Sequence, residues 1–533
     1  MNLIQLQPGV PTNNNLQPLR HPKWFLFRAA AYLGGQGITF GDPIVPHAAK
    51  NLRTGSLNVD CLLSPEVDII DTELNYLADG QYKHLFIGPR LAMMDNPPSM
   101  LRQLANKLAP GGHLIMGQKI NDKTQKFYWD SAGVDFMVSD IGRWQIKDVY
   151  ERDGYLLRIY KKLHGKKGVF PAKERSGKPR ACICRYGALG DMIMITPLIH
   201  QLADDGYEVT MNISPYALPV IEHNPYVHNL IIQERDMIPN LELGPYWDEW
   251  RKDYARYINL SESLEGRYLK VEGRRDFYTP KEWRIKTGEF NYYDATMRLG
   301  GYPGITGTRG EFFFTDAEER NCKKFFDSHR GKYIVLWAMN GSSHHKIYPM
   351  MEVVVHDFLM AHPDAIIVKV GDANAKQSPF EHQRLLNMCG VWGIRESLLA
   401  AKYANLVVGP ETMMTNAAGS MGTPVITLLS HSTHEALCKH WGDNDYCLAP
   451  EGIECYPCFQ LHYTKESCPI LRMENSETKE VITEAPACAI AGIKPERLVA
   501  RMDEVYSKGK NKPKNAIMKG SNGPVGQVDA ITA

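Results

Sequence analysis

No window of the 533-residue chain approaches the roughly 20 consecutive apolar residues that span a bilayer. The amino-terminal stretch MNLIQLQPGVPTNNNLQPLRHPKW also lacks the continuous apolar core of a secretory signal. Both absences point away from a helical membrane protein and toward a soluble, intracellular chain. Net charge is nearly missing as well: 61 Lys plus Arg stand against 60 Asp plus Glu, a balance of +1. No global field therefore recruits nucleic acid or an anionic membrane, and any such partner must be met locally. A disulfide framework is not indicated, because eleven cysteines is an odd number and Cys182 and Cys184 lie inside an apolar segment that suits reduced thiols. No short-period repeat is visible. What the chain does have is length, enough for about three or four domain-sized units.

Those units show a recurring rhythm of strand, turn and helix. Between residues 20 and 165, GGQGITFGD is followed by YKHLFIGP and then by PSMLRQLANKLAPGGHLIMG, where an amphipathic helix leads through Pro110, Gly111 and Gly112 into a strand. This segment resembles the class I methyltransferase fold: Gly35, Gly37 and Gly41 fall where that family's cofactor loop lies, and LAPGGHLIM looks like its late helix-to-strand turn. The family normally has an acid within the loop, whereas Thr39 stands here. That difference argues against S-adenosylmethionine and for a Rossmann-like domain kept for scaffolding or for positioning an acceptor. A basic, glycine-containing link, KKLHGKKGVFPAKERSGKPR, then marks a domain boundary, and LGGYPGITGTRGEF further on suits a hinge between two lobes.

The sharpest local signal is RYGALGDMIMITP. Arg180–Arg185 reads as a strand and Met192–Leu202 as a helix, with Pro197 tolerable only in a first turn. Asp191 thus sits where the carboxyl end of a strand meets the amino end of a helix, the edge at which open α/β sheets bind ligands. A helix cap is the plainer role for such an acid. In YANLVVGPETMMTNAAGSMGTPVITLLS, a buried strand over Leu406–Val408 turns at Gly409-Pro410 into a helix that Glu411 or Thr412 can cap. Gly422-Thr423-Pro424 ends that helix before the next parallel strand. The helix start offers unpaired backbone donors and a positive dipole end, a seat for a diphosphate. Upstream, YIVLWAMNGSSHHKIYP places Asn340, Gly341, Ser342 and Ser343 in a polar loop after a strand, followed by Lys346 as a point charge. His344 and His345 read as loop residues rather than ligands, since no second metal-like cluster accompanies them.

In that order and spacing, RYGALGDMIMITPLIHQL, EHNPYVHNLII, KIYP and NLVVGPETMMTNAAGSMGTPVITLL resemble glycosyltransferase family 9, the heptosyltransferases of lipopolysaccharide assembly. The likeness covers roughly residues 180 to 500. It implies an α/β chain with a GT-B architecture, two Rossmann-like lobes, here preceded by the third, methyltransferase-like domain. The expected division is 1–165 methyltransferase-like, 166–180 linker, 181–305 acceptor-side lobe, 306–507 donor-side lobe and 508–533 disordered tail. The implied activity is inverting transfer of a sugar from a nucleotide diphosphate, an ADP-sugar in the family, to a glycan or lipopolysaccharide-core-like acceptor. The implied setting is cytoplasmic, with the inner membrane surface as the alternative.

Carried over residue by residue, Asp191 matches the family's proposed base, Lys346 the lysine at the donor phosphates, and Glu411 and Thr412 the acid and threonine opening the phosphate-binding helix. Gly187, Gly190, Asn340, Ser342, Ser343, Gly409, Met413 and Asn416 complete the expected donor site. Met413 and Asn416 stand where the family usually has glycine and histidine, which narrows the space beside the diphosphate, removes a chargeable side chain and leaves the donor's identity open. Displacing a nucleotide diphosphate needs a base for the acceptor hydroxyl and compensation for charge on the phosphate. No Asp-x-Asp metal motif occurs in either loop, so no catalytic metal is expected.

Two features stand apart. Cys455, Cys458, Cys468 and Cys488 have the ligand type and count of a four-cysteine structural zinc site, with free thiols the alternative. Residues 267–286, RYLKVEGRRDFYTPKEWRIK, mix basic and aromatic side chains and suit a phosphorylated glycan or a nucleic acid strand, or else a solvated loop. Two rival readings remain: a working methyltransferase whose other half binds glycan, and a non-catalytic scaffold for nucleotide-sugars or glycans.

Overall fold

The computed structural model describes residues 22–511 apart from 33–36, 41–55, 61–68, 71–76, 89–90, 92–96, 121–130, 165–167, 171–176, 234–237, 239, 262, 266, 340, 344, 376–379, 465–466 and 475–480. The chain is α/β. After helix α1 (Lys23–Ala30) come strands β1 (Gly37–Phe40), β2 (Ser56–Asp60), β3 (Ile69–Ile70) and β4 (Tyr82–Ile87), then α2 (Pro97–Lys107). Strands β5 (Leu108–Lys119), β6 (Arg143–Arg152), β7 (Tyr155–Leu163) and β8 (Gly168–Phe170) follow. They form one sheet of order β3-β2-β1-β4-β5-β7-β6-β8. Its first five strands are parallel and β7 runs antiparallel to both neighbours.

Strands β9 (Arg180–Arg185), β10 (Glu208–Ile213), β11 (Val227–Ile232) and β12 (Arg256–Asn259) make a sheet of order β11-β10-β9-β12, with α3 (Leu189–Asp204) following β9. Further along come β13 (Lys270–Val271) and α4 (Tyr292–Leu299), then β14 (Tyr333–Ala338), β15 (Ala365–Val370), β16 (Leu385–Asn387), β17 (Leu406–Pro410), α5 (Met413–Met421) and β18 (Val425–Leu428). The sheet β16-β15-β14-β17-β18 is parallel throughout. Strands β14, β15 and β17 are buried along their full length, as the apolar runs YIVLWA and LVVGP, and AIIVKV with its buried Lys369, require of strands covered on both faces. Strand β19 (Gln460–Leu461) pairs with β13, β20 (Ile470–Glu474) with β21 (Val481–Pro486), and α6 (Pro495–Asn511) ends the described chain. Among the described residues no helix is long and apolar enough to cross a membrane.

The chain divides into two compact units: Met1–Cys182 with Gly206–Pro215 and Asn229–Tyr257, and Ile183–Asp205 with Tyr216–His228 and Ile258–Ala533. The first is organised around Phe25 and Arg28 of α1. Gly117 has no Cβ because that atom would stand 2.3 Å from the Phe25 ring. The Arg28 guanidinium lies 4.5 Å from the Trp250 ring centre and pairs with Glu249 and Asp253. A buried cation is tolerated only with such compensation. Gly37, expected in the cofactor loop, is the first residue of strand β1, and a Cβ there would meet the His84 ring at 2.0 Å. Its small size is explained by packing against His84. Gly35 and Gly41 lie outside the described residues.

Two other boundaries differ from expectation. Helix α6 runs through residues 508–511, so the tail expected from Lys508 begins inside it; the remainder lies outside the described residues. Helix α3 starts at Leu189, which puts Pro197 in its interior rather than its first turn. Proline cannot donate to the Ile193 carbonyl. The Thr196 hydroxyl donates to that carbonyl instead, at 2.8 Å, and accepts from the Glu311 N–H at 2.7 Å. Thr196→Val, which removes both contacts from a fully buried site, is expected to destabilise the unit by about 1–3 kcal/mol while Thr196→Ser costs less. Denaturant unfolding compares the two; equal midpoints would refute the compensation.

Candidate active site

The second unit gathers the candidate groups. The strand β9 ends on Arg185, a three-residue turn follows, and Asp191 lies in the first turn of α3. Its Oδ2 accepts from the Ala188 N–H at 2.8 Å, the helix-capping role, and stands 3.1 Å from the Arg185 guanidinium. Arg185 also donates to both oxygens of Glu265, at 3.0 and 3.1 Å, and to the Leu260 carbonyl at 2.8 Å. One buried cation thus serves two carboxylates, and the two respond differently. Burial pushes Glu265 up, but the paired Arg185 outweighs it and holds that carboxyl below its ordinary range. Burial also pushes Asp191 up, and there the single Arg185 contact does not cancel it, so its carboxyl sits above the ordinary range. Gly187 makes the arrangement possible, since a Cβ there would stand 2.6 Å from both the guanidinium and Asp191 Oδ2.

Facing groups come from the parallel sheet. In the order β16-β15-β14-β17-β18, connections reverse direction between β14 and β17, the switch point where such sheets bind ligands. The loop after β14 closes on itself through Gly341 N–H to Lys346 O, 2.9 Å, and Lys346 N–H to Ser343 O, 3.0 Å. A Cβ on Gly341 would touch Lys346 at 2.7 Å and Thr412 at 3.2 Å, so both phosphate-seeking elements meet there. Lys346 has no ion-pair partner among the described residues, and its charge favours ionisation of both Asp191 and Glu411. Ser342 is exposed and Ser343 buried; Asn340 and His344 lie outside the described residues.

At the other loop, Gly409 lets β17 approach β14, because a Cβ would stand 2.6 Å from that of Ala338. Thr412 is the N-cap of α5; its N–H donates to the Thr415 hydroxyl at 3.1 Å, but its own side chain makes no capping bond and its hydroxyl is buried with no partner among the described residues. The helix's first backbone donors are therefore left for an anion. Met413 is partly buried against the core. Asn416 donates its amide to the Thr412 carbonyl at 3.0 Å while its own carbonyl is buried and unpartnered. Helix α5 packs on α3, and a Cβ on Gly190 would lie 3.5 Å from the Asn416 amide nitrogen. The turn bearing Asp191 and the start of α5 are neighbours.

Glu411 is placed differently from a donor ligand. It is buried and accepts from the Ser430 N–H at 3.1 Å, the Ser432 N–H at 3.3 Å and the Ser432 hydroxyl at 2.9 Å. It also pairs with His431. Burial opposes its charge, but His431 first, and then the Lys346 charge, hold it well below the ordinary carboxylate range. Burial pushes His431 and His345 below the ordinary imidazole range, with the Glu411 charge opposing it at both. His345 is thus no bare loop residue: it shares a buried cluster with Glu411 and His431 that only the fold assembles. Tyr292, at the start of α4, was also not anticipated; burial raises its phenol's pKa, and the nearby Glu411 and Asp191 charges raise it further.

The basic stretch 267–286 is partly engaged within the unit. Lys270 pairs with Asp276 at 3.2 Å, Lys281 donates to the Tyr456 carbonyl at 3.1 Å and Arg284 to the Cys458 carbonyl at 2.7 Å. Tyr278 and Trp283 remain exposed, with Lys286 5.5 Å from the Trp283 ring centre. Of the four cysteines, Cys458 and Cys488 are buried and Cys455 and Cys468 half-buried. Burial, then neighbouring thiols, pushes Cys468 up to about 11 and Cys458 to about 12. Among the described residues, the groups whose metal-ligating atoms lie within 4.8 Å of one another are His345, Glu411 and His431, and His434, Asp445 and Cys447.

No protein-family model and no curated protein matches the chain. Solved structures do. The glycosyl transferase family 9 from Veillonella parvula matches at 13% identity over 62% of this chain and 98% of that one, with a TM-score of 0.39. An E. coli ADP-heptose lps heptosyltransferase II matches at 12% identity over 62% and 99%, with a TM-score of 0.43. A SAM dependent methyltransferase from Aquifex aeolicus matches at 14% identity over 26% and 89%, with a TM-score of 0.22.

The two turn glycines separate by available space. Gly187→Ala is expected to push Asp191 off Arg185 and cost about 1–3 kcal/mol, while Gly190→Ala, with 3.5 Å to its nearest neighbour, stays within about 0.5 kcal/mol. Parallel unfolding curves test this, and equal losses would contradict the packing described.

Proposed function

We propose that the chain is an inverting glycosyltransferase that moves a sugar from a nucleotide-diphosphate donor to an acceptor hydroxyl. The observation that carries the reading is the meeting of an Arg185-held carboxylate with a lysine that has no ion-pair partner among the described residues and a helix start whose N-cap side chain makes no capping bond, at a switch point. Lys346, the Ser342–Ser343 loop and the first N–H groups of α5 seat the diphosphate and take up its growing charge, so the step itself requires no metal. Asp191, its affinity for protons raised by burial, accepts the acceptor's proton as the hydroxyl attacks the anomeric carbon. Glu411 shapes the site by fixing the 430–432 loop rather than by meeting the donor.

The donor reading extends to an ADP-sugar, and the acceptor to a glycan of the lipopolysaccharide-core type; the exposed Tyr278 and Trp283 suit stacking on sugar faces. We assign the donor role to 306–507, the acceptor role to 181–305 and a supporting role to 1–165, since Gly37 is closed off by His84. The four cysteines are proposed to hold a structural zinc ion, a reading supported by their proximity, since Cys455, Cys458 and Cys468 each act on the Cys488 thiol.

Nucleotide release from a panel of ADP-, GDP-, UDP- and CMP-sugars tests the activity. Asp191→Asn is expected to lower kcat by roughly 10²–10⁴-fold with donor affinity retained. Lys346→Ala is expected to weaken donor binding by roughly 10–100-fold, the loss of one charge-assisted contact. Release equal in wild type and Asp191→Asn would remove the base from the account.

The pH profile has a defined sign. Activity rises with pH as Asp191 deprotonates, with a midpoint above the ordinary aspartate range, and this limb vanishes in Asp191→Asn. Because folding raises this pKa, ionised Asp191 weighs against stability above its native pKa, and that cost is relieved as pH falls through it.

A further inference from the structure

Three adjacent parallel strands each deliver one metal-ligating side chain from the loop at their carboxyl ends: β14 leads to His345, β17 to Glu411 and β18 to His431. All three are buried, at 3%, 4% and 2% exposure. One ligand atom from each lies within 4.8 Å of the others, and the two imidazole centres are 4.9 Å apart. His345 Nδ1 is shut off from solvent and has no hydrogen-bond partner among the described residues, while its Nε2 lies 3.4 Å from the Ser343 hydroxyl. Glu411 Oε1 is fixed by three donors from Ser430 and Ser432, and Oε2 accepts from the Ser430 hydroxyl at 3.3 Å and faces His431 Nδ1. Orphaned buried nitrogen is costly, and hydrogen bonds to the far atom of each ligand are how proteins orient metal-binding groups.

We propose that His345, Glu411 and His431 bind a divalent transition-metal ion of the Zn2+ or Fe2+ kind. Two imidazoles and one carboxylate suit such an ion and are a poor set for Mg2+ or Ca2+, which prefer all-oxygen shells. The ion's role is positional. His345 precedes Lys346 and Glu411 precedes Thr412, so loading fixes the spacing of the two phosphate-seating elements without receiving the leaving group's charge. The site stands on metal binding alone and does not depend on the glycosyltransferase reading.

Cobalt substitution of the full-length protein tests it, read by direct binding. In a Cys455→Ser/Cys458→Ser background, Co2+ is expected to bind stoichiometrically with visible bands and no thiolate charge-transfer absorption. His345→Gln or His431→Gln in that background should weaken binding by at least ~10–100-fold, while His434→Gln leaves it unchanged, with circular dichroism checking the fold. X-ray absorption of the wild-type metal-loaded chain needs no variant and should contain imidazole scattering. A shell of sulfur alone, no bound metal, or binding that survives loss of both histidines would overturn the assignment.

Discussion

Arg185 is the constraint on which the candidate site rests. Its side chain is 1% exposed, and a guanidinium cannot lose its charge, so the fold must surround it with acceptors. Glu265 supplies two, Leu260 one, and Asp191 the fourth contact. The asymmetry decides the chemistry. Glu265 takes the bidentate contact and is held ionised, whereas Asp191 receives a single contact in a buried place and has the higher proton affinity of the two. A carboxylate that binds a proton readily but remains oriented is what a general base requires.

Topology supplies the other half. Parallel strands all point their carboxyl ends to one side, so the loops after β14, β17 and β18 share an edge without any long-range design of the loops themselves. That edge holds Lys346, the start of α5, and the buried trio of His345, Glu411 and His431. Small residues keep these parts in touch: Gly341 lies against both Lys346 and Thr412, and Gly409 against Ala338.

Much of this was legible in the residues. The alternation of Arg180–Arg185 and the apolar runs at 333–338 and 406–410 announce strands because burial on one or both faces dictates their composition. The turn carrying Asp191 and the helix start at Thr412 follow from local chain chemistry. What local chemistry could not reveal was the partner of each side chain. Glu411 looked available because its donors lie about 20 residues away, on the 430–432 loop. Tyr292 lay in no motif, and Arg185, though it opens the RYGALGD stretch, gave no local sign of its buried ion pairs. The interior position of Pro197 was hidden because its remedy, the Thr196 hydroxyl, is a side-chain contact that no helix-forming tendency records. Gly37 resembled a loop glycine until the His84 ring was found in the space beside it.

A crystal structure of the complex with a nucleoside diphosphate tests the central claim most directly. The account predicts the diphosphate between Lys346 Nζ and the first N–H groups of α5, with the Asp191 carboxylate opening onto the space beside the terminal phosphate. A diphosphate bound elsewhere, or Asp191 closed off from the bound phosphate, would contradict it.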